Sequence, residues 1–205
     1  MNLLKTPYRV IIFDFDNTLC NMNIFTSGIQ LDDIDEKNKT VKIGNNFRTI
    51  NTLFNDYSDL ICIFTNLKCK GVKLVIASFG NILIITKLLN IAFTGLFDYI
   101  VTSDNIDEES RSGYVMKVFR HIVDPLCPRF YGKNLMIRTI MDKYNINNPH
   151  EVLFFDDDYS NATCSNHMKI HSHNNTRHGI NSKLLMDTIF IKEKMSGGKR
   201  YVLTK

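Results

Sequence analysis

Two carboxylates, an amide and a hydroxyl follow directly after an apolar run near the start of the chain. The stretch IIFDFDNT, residues 11–18, contains Asp14, Asp16, Asn17 and Thr18. Acidic and amide residues disfavour strands, so a buried strand is predicted to end near Asp14. A strand followed by a plain polar turn would explain this pattern. A pair of carboxylates collected for a metal ion and a phosphoryl group would explain it as well.

Polar residues also follow two later apolar runs. Ser78 comes after VKLVIA (72–77), and Asp156 and Asp157 come after EVLFF (151–155). Taken singly, each of these residues is explained by a strand-end turn or a helix cap. The carboxyl ends of parallel strands meet at one edge of a sheet, where α/β proteins place their sites. The sequence therefore predicts one polar site at a common sheet edge.

The elements that must position these residues alternate between strand and helix patterns. Short apolar runs predict strands, and apolar residues with helical spacing predict helices. The predicted strands are 8–15, 72–77, 99–103, 151–155 and 168–172, and the predicted helical segments are 47–54, 60–67, 81–90, 133–145 and 181–191. This alternation predicts an α/β fold with a Rossmann-like parallel sheet and helices on both faces.

Four ordered motifs resemble those of the haloacid dehalogenase superfamily of phosphohydrolases. They are IIFDFDNT, KLVIAS, a lysine near a helix start in YGKNLMIRTIMDKY, and EVLFFDDD. The lysine is taken as Lys133, with Lys117 as the competing choice. The stretch FFDDDYSN is also similar to the F-F-D-D-E-x-x-N stretch of the small magnesium-dependent phosphatases, with Asp158 in place of the glutamate. The resemblance spans residues 8–175 and implies a haloacid-dehalogenase-like fold with a minimal cap or none.

This resemblance implies a Mg²⁺-dependent phosphatase that acts through an aspartyl-phosphate. Asp14 would attack phosphorus, and Asp16 would protonate the leaving oxygen and then activate water. Lys133 would serve catalysis by offsetting charge on the phosphoryl oxygens. The implied ligand sets are Ser78, Thr18, Asn17 and Lys133 for the phosphate of the substrate, and Asp14, Asp16 (through its backbone carbonyl), Asp156 and Asp157 for Mg²⁺.

The pattern along the 205 residues predicts a single α/β domain over 1–191. Within it, a polar flap is expected over about 20–45 and an insertion over about 104–132. Residues 192–205 form a basic tail that carries the whole net charge of +4. The rest of the chain is neutral, which disfavours a basic nucleic-acid groove.

Cysteine usage and the apolar runs indicate the surroundings of the protein. Five cysteines are scattered without a C-x-x-C pair, which predicts a reducing, intracellular and cytoplasmic location. The apolar run 72–97 contains too many polar residues for a membrane span. The histidines at 167–178 lack the spacing of a closed zinc site, and Cys20 lacks an evident partner base.

A phosphatase with an open site would suit phosphoproteins or other bulky substrates. A polynucleotide 3′-phosphatase and a small phosphosugar phosphatase are alternatives that the motifs leave open. A non-enzymatic binding or scaffold protein is disfavoured because the acids that such a protein usually loses are all present. The expected partner is a phosphorylated protein or small molecule. The sequence does not indicate an oligomeric state.

Overall fold

A computed structural model describes residues 6–103, 132–166, 168–175 and 178–190. Five parallel strands form its main sheet in the order β6-β5-β1-β7-β8. The strands of this sheet are β1 (Val10–Phe13), β5 (Lys73–Ser78), β6 (Tyr99–Thr102), β7 (Val152–Asp156) and β8 (His171–Asn174). The helices are α1 (Tyr57–Cys69), α2 (Ile82–Ala92), α3 (Asn134–Lys143), α4 (Tyr159–Asn166) and α5 (Ser182–Ile189).

The central strand β1 is buried on both faces because its residues alternate between two cores. Ile11 and Phe13 belong to a core that also contains apolar residues of α1, α2 and α5. Val10 and Ile12 point the other way, into a core that α3 covers. A strand with two apolar faces is typical of a parallel sheet between helical layers. The predicted Rossmann-like α/β fold is thereby confirmed.

The segment after β1 differs from the prediction. The flap expected over 20–45 contains a small antiparallel sheet over 34–49, here called the flap sheet, with strands β2 (Ile34–Asp35), β3 (Thr40–Ile43) and β4 (Asn46–Thr49). The helix predicted over 47–54 is wrong, because its first residues pair with β3 and only Ile50–Leu53 forms a short 3₁₀ turn. Gly44, in the left-handed region at φ +60°, makes the tight turn that directs the chain into this pairing.

The last strand also begins later than predicted. The chain turns after α4, where Lys169 has φ +61° and its N–H donates to the carbonyl of Asn166. The strand predicted over 168–172 therefore runs over β8 instead. The insertion over 104–132, apart from Gly132, lies outside the described residues, as do Lys117 and the basic tail. The predicted single domain stays a prediction.

A single carboxylate joins α1, β5 and the start of β6. Asp98 accepts hydrogen bonds from Lys68 Nζ at 2.6 Å and from the Leu74 N–H at 3.0 Å. Burial alone would raise the pKa of Asp98, but these donors outweigh it and hold the pKa below its ordinary value.

No helix in the described parts of the chain is both long enough and apolar enough to cross a bilayer.

Candidate active site

Asp14 lies where β1 leaves the sheet. Its N–H still donates to the Phe155 carbonyl at 2.9 Å, so its backbone continues the ladder to β7. The next residues form one wide turn, in which the Leu19 N–H donates to the Asp14 carbonyl at 3.2 Å. Asn17 takes a left-handed conformation in this turn, and its carbonyl accepts from the Gly179 N–H at 3.0 Å. Backbone bonds thus hold Asp14 in one orientation at the sheet edge.

Lys133 brings the first and last acidic motifs together. Its side chain is only 2% exposed and forms ion pairs with Asp14 and with Asp156, the latter at 2.9 Å. Lys133 immediately precedes α3, so the helix directs the ammonium group under the sheet edge. These two ion pairs make Lys133 part of the candidate site. Its competitor Lys117 lies outside the described residues.

Asp156 is held by donors on both of its oxygens. Oδ1 accepts from the Asp158 N–H at 2.8 Å, and Oδ2 accepts from Lys133. The Asn161 amide donates to both oxygens at 3.3 Å. The sequence assigns no role to Asn161, although this residue ends the FFDDDYSN stretch. The side-chain oxygen of Asn161 also packs against Gly132, where an added Cβ would clash with it.

Thr18 connects the turn after β1 to the loop after β7. Its hydroxyl donates to Asp14 Oδ2 at 3.3 Å and accepts from the Asp157 N–H at 2.9 Å. Thr18 is fully buried, so its hydroxyl positions the acids in this structure. Asn17 likewise shapes the turn through its backbone. A direct contact of either residue with a phosphate stays a prediction.

Three carboxylates converge closely enough to share one cation. Asp14, Asp156 and Asp157 each offer an oxygen, and these oxygens all lie within 4.8 Å of one another. Mg²⁺ prefers carboxylate oxygens and is usually bound by one or two of them together with water. The donor set therefore fits a hard divalent cation such as Mg²⁺.

Asp16 and Ser78 both lie close to Gly80. Asp16 Oδ1 accepts from the N–H groups of Ile24 and Phe25 at 2.6 and 3.3 Å. A Cβ built at Gly80 would lie 3.2 Å from Asp16 Oδ2 and 3.4 Å from Ser78 Oγ. A Cβ there would also lie 3.1 Å from the Ile85 side chain, so the close packing at this position favours glycine, which is not evident from the sequence.

Burial dominates the electrostatics of these groups. It raises the pKa of Asp14 to about 7, with Lys133 opposing the rise and Asp156 adding to it. It also raises the pKa of Asp16, although two N–H donors of the flap counteract it. For Lys133, burial lowers the pKa, but attraction to Asp14 and Asp156 outweighs burial and the net shift is upward. The site therefore combines a buried cation with an Asp14 carboxyl that can carry a proton near neutral pH and an Asp16 carboxyl whose pKa is raised.

Solved structures share this architecture. A structure described as a dehalogenase is 13% identical, with a TM-score of 0.50 over 90% of this chain and 98% of that chain. A protein from Bacteroides fragilis described as a putative haloacid dehalogenase-like hydrolase is 16% identical, with a TM-score of 0.49 over 90% of this chain and 95% of that chain. The chain has a haloacid-dehalogenase-like fold.

Other comparisons add little to this assignment. A protein from Lactobacillus delbrueckii described as a putative phosphoglycolate phosphatase is 11% identical, with a TM-score of 0.48 over 91% of this chain and 99% of that chain. No protein-family model and no curated protein matches the chain. At identities this low, likeness to solved structures shows the fold alone, and the activity has to be argued from the chemistry of the site.

Other nucleophiles and ligands are less suitable within this haloacid-dehalogenase-like fold. Burial raises the pKa of the Cys20 thiol to about 12, so it stays protonated and weakly nucleophilic. His171, the first residue of β8, shares a hydrogen bond with the Tyr8 hydroxyl at 2.9 Å. Within the described residues, the acids at the sheet edge are the group of three or more that could hold a metal.

Proposed function

We propose that the protein is an enzyme of the haloacid dehalogenase superfamily, a Mg²⁺-dependent phosphomonoester hydrolase that forms an aspartyl-phosphate. The main support is the buried Lys133 ammonium, which contacts both Asp14 and Asp156. A phosphate monoester is a dianion that repels a carboxylate nucleophile. A cation fixed against that nucleophile offsets the repulsion, and such electrostatic stabilisation is the main requirement of phosphoryl transfer.

In the first step, a carboxylate oxygen of Asp14 attacks phosphorus. An oxygen–phosphorus bond forms at Asp14 as the bond from phosphorus to the leaving oxygen breaks. Asp16 donates its proton to that oxygen, so an alcohol leaves instead of an alkoxide. The raised pKa of Asp16 suits this role, because it lets the carboxyl hold a proton closer to neutral pH.

In the second step, water attacks the phosphorus of the aspartyl-phosphate. Asp16, now ionised, takes a proton from the water. The bond between phosphorus and the Asp14 oxygen breaks, which regenerates the Asp14 carboxylate and releases inorganic phosphate. The bonds from Ile24 and Phe25 hold the Asp16 carboxylate in place for both proton transfers. Splitting the reaction in this way replaces one difficult displacement by two easier ones.

Mg²⁺ would be held by Asp14, Asp156 and Asp157, with the Asp16 backbone carbonyl as a further ligand implied by the resemblance. When bound, it would neutralise negative charge in the site and on the phosphoryl oxygens. Asn161 and the Asp158 N–H keep Asp156 aimed at the same point.

The phosphoryl oxygens would be bound by Lys133 and Ser78. The Ser78 hydroxyl accepts from the Gly80 N–H at 3.1 Å, and a hydroxyl that accepts one bond can still donate its own hydrogen. Asn17 and Thr18 would act mainly by shaping the turn that presents Asp14. The substrate would be a phosphorylated protein or another bulky phosphate monoester.

Two substitutions test these roles, because they remove different steps. Asp14→Asn removes the nucleophile, so turnover should vanish for every substrate. Asp16→Asn leaves the nucleophile, so alkyl phosphates should suffer more than p-nitrophenyl phosphate, whose leaving oxygen needs less protonation. Phosphoenzyme should also accumulate in this variant, because its second step lacks a base. Asp59→Asn, at an exposed position of α1, serves as the matched control.

Single-turnover assays with Mg²⁺, followed by mass spectrometry of the Asp14 peptide, measure both effects. Equal losses in both variants for all leaving groups, with no trapped phosphoenzyme, would contradict the assignment. The substrate panel should include phosphopeptides, 3′-phosphorylated oligonucleotides and phosphosugars, which separate the proposed class from the two alternatives. Binding without any turnover would instead favour the scaffold protein.

A further inference from the structure

Two phenylalanine side chains are exposed next to residues of the candidate site. Phe25 is 71% exposed and Phe79 is 46% exposed. Single exposed apolar residues are common on protein surfaces and need no explanation. These two differ because the Phe25 N–H bonds to Asp16, and Phe79 precedes Gly80, where an added Cβ would lie 3.2 Å from the same acid.

Phe79 is fixed between a strand end and a helix cap. It follows Ser78, the last residue of β5, and precedes Gly80, whose N–H bonds back to the Ser78 hydroxyl. Asn81 then caps α2 by accepting from two N–H groups of its first turn. The Phe79 ring has its centroid 5.4 Å from Lys133 Nζ, within the range of a cation–π contact. Its ring therefore borders the ammonium group that contacts Asp14.

Phe25 is fixed in a turn of the flap. Its N–H donates to Asp16 Oδ1, as does that of Ile24, which is anchored in the main core. The Thr26 N–H donates to the Asn23 side chain at 2.8 Å, which closes the turn. An apolar ring at the tip of a rigid, exposed turn adds little to the core that holds the fold together.

The two segments approach Asp16 from opposite oxygens. The Phe25 N–H bonds to Oδ1, whereas Gly80, next to Phe79, lies against Oδ2. If Asp16 protonates the leaving oxygen, that oxygen must reach this carboxylate. Whatever group the oxygen carries then lies beside both segments, and the exposed rings are the apolar surface that these segments offer it.

We propose that Phe25 and Phe79 bind the leaving group, and that the substrate is a phosphate monoester with a flat aromatic group next to the leaving oxygen. This inference rests on the proposed phosphatase function. Aromatic pairs contribute beyond the area that they bury, so loss of one ring should lower the preference for an aromatic substrate by about two- to ten-fold. An aromatic base separated from the phosphate by a sugar would not lie beside Asp16 in the same way.

Benzyl phosphate and methyl phosphate provide the test, because both release a simple primary alcohol and only one carries a ring. The measured quantity is the ratio of kcat/KM for benzyl phosphate to that for methyl phosphate, in the presence of Mg²⁺. We expect the full chain to favour benzyl phosphate at least ten-fold, and Phe25→Ala and Phe79→Ala each to reduce that preference several-fold. The ratio cancels any general effect of Phe79→Ala on Lys133.

Phe47→Ala is the matched control, because Phe47 is 70% exposed in β4 of the flap sheet. This variant should keep the ratio of the unmodified chain. Phe79→Leu keeps apolar bulk without a ring, and it should lie between Phe79→Ala and the unmodified chain. If Phe47→Ala lowers the ratio as much as the other variants, the assignment to Phe25 and Phe79 is wrong.

The outcomes separate this inference from the function on which it rests. Hydrolysis of p-nitrophenyl phosphate that depends on Asp14, with equal kcat/KM for the benzyl and methyl esters, would overturn the leaving-group site alone. No hydrolysis of any ester would overturn both. Phosphotyrosine and a nucleoside 5′-monophosphate distinguish two natural sources of an aromatic group. A preference for phosphotyrosine that Phe25→Ala and Phe79→Ala lower supports the proposal, because a phenol leaves more easily than a sugar alcohol even without a ring contact, and preference for the nucleotide contradicts it.

Discussion

Replacing Lys133 by methionine should destabilise the protein more than any surface lysine substitution. Methionine keeps most of the buried length of the side chain but removes the charge, leaving the Asp14 and Asp156 carboxylates buried without their cation. Removing one partner of a buried ion pair typically costs about 3–5 kcal/mol. That is a large part of the total stability of about 5–15 kcal/mol for a typical protein.

This loss should depend on pH in a defined direction. Burial already raises the pKa of Asp14 to about 7 with Lys133 present, and removing the ammonium raises it further. The folded variant then binds a proton that the unfolded chain releases above about pH 4. Its stability should fall as the pH rises through neutrality, so the deficit is larger at pH 8 than at pH 6.

Urea unfolding in EDTA at pH 6 and pH 8 measures both effects. Lys73→Met is the matched control, because Lys73 is 44% exposed and pairs with Asp98 at 3.4 Å. Such exposed pairs contribute about 0–1 kcal/mol. If Lys133→Met loses no more stability than Lys73→Met at both pH values, the buried ion pairs do not stabilise the fold as argued.

Three further substitutions test other parts of the structure. Thr18→Val removes the hydroxyl that joins the two acidic loops, and urea unfolding should show a loss of about 1–3 kcal/mol. Gly132→Ala combines φ +54° with a clash against Asn161, so it should lower both stability and turnover, whereas Gly44→Ala, with φ +60° and open space, should lower stability alone. Asp98→Asn should destabilise at pH 7, and the difference should close as the pH falls below 3.8, because the folded chain holds the pKa of Asp98 below that value.

Specific results would contradict each of these expectations. Thr18→Val with unchanged stability would mean that the hydroxyl bonds only replace equivalent bonds to water. Equal turnover in Gly132→Ala and Gly44→Ala would mean that the clash with Asn161 does not disturb the site. A stability difference between Asp98→Asn and the unmodified chain that does not change between pH 7 and pH 3 would mean that the carboxylate is not what stabilises the folded state.

The sequence predicts the sheet and the acids of the site because both depend on local patterns. An apolar run ending in an acid indicates the end of a buried strand wherever that strand pairs, so Asp14 and Asp156 could be placed at one edge without coordinates. The edge itself then follows from the direction that all parallel strands share. The same reasoning placed Ser78 at the end of β5.

The flap sheet and the supporting contacts could not be predicted in this way. Phe47 has helical spacing with Ile50, but backbone pairing with Lys42 decides its conformation. The sequence marks Asn161 only as a helix residue, and its role is visible only in the structure, where its amide donates to Asp156. In both cases the partner lies five positions away across a turn, and the geometry of that turn decides the contact, so the pattern of residue types does not contain it.

The position of β1 in the middle of the sheet has a consequence for synthesis on the ribosome. β1 is made first, yet its two neighbours are β5 and β7, and Thr18 waits for Asp157, which follows 139 positions later. The nascent chain therefore carries an apolar strand with two open edges while most of the domain is still being translated. Open apolar edges of this kind pair with other chains. α1 and the flap segment share a core with Ile11 and Phe13 and can cover one face of β1 early, but its edges stay open until β5 and then β7 are made.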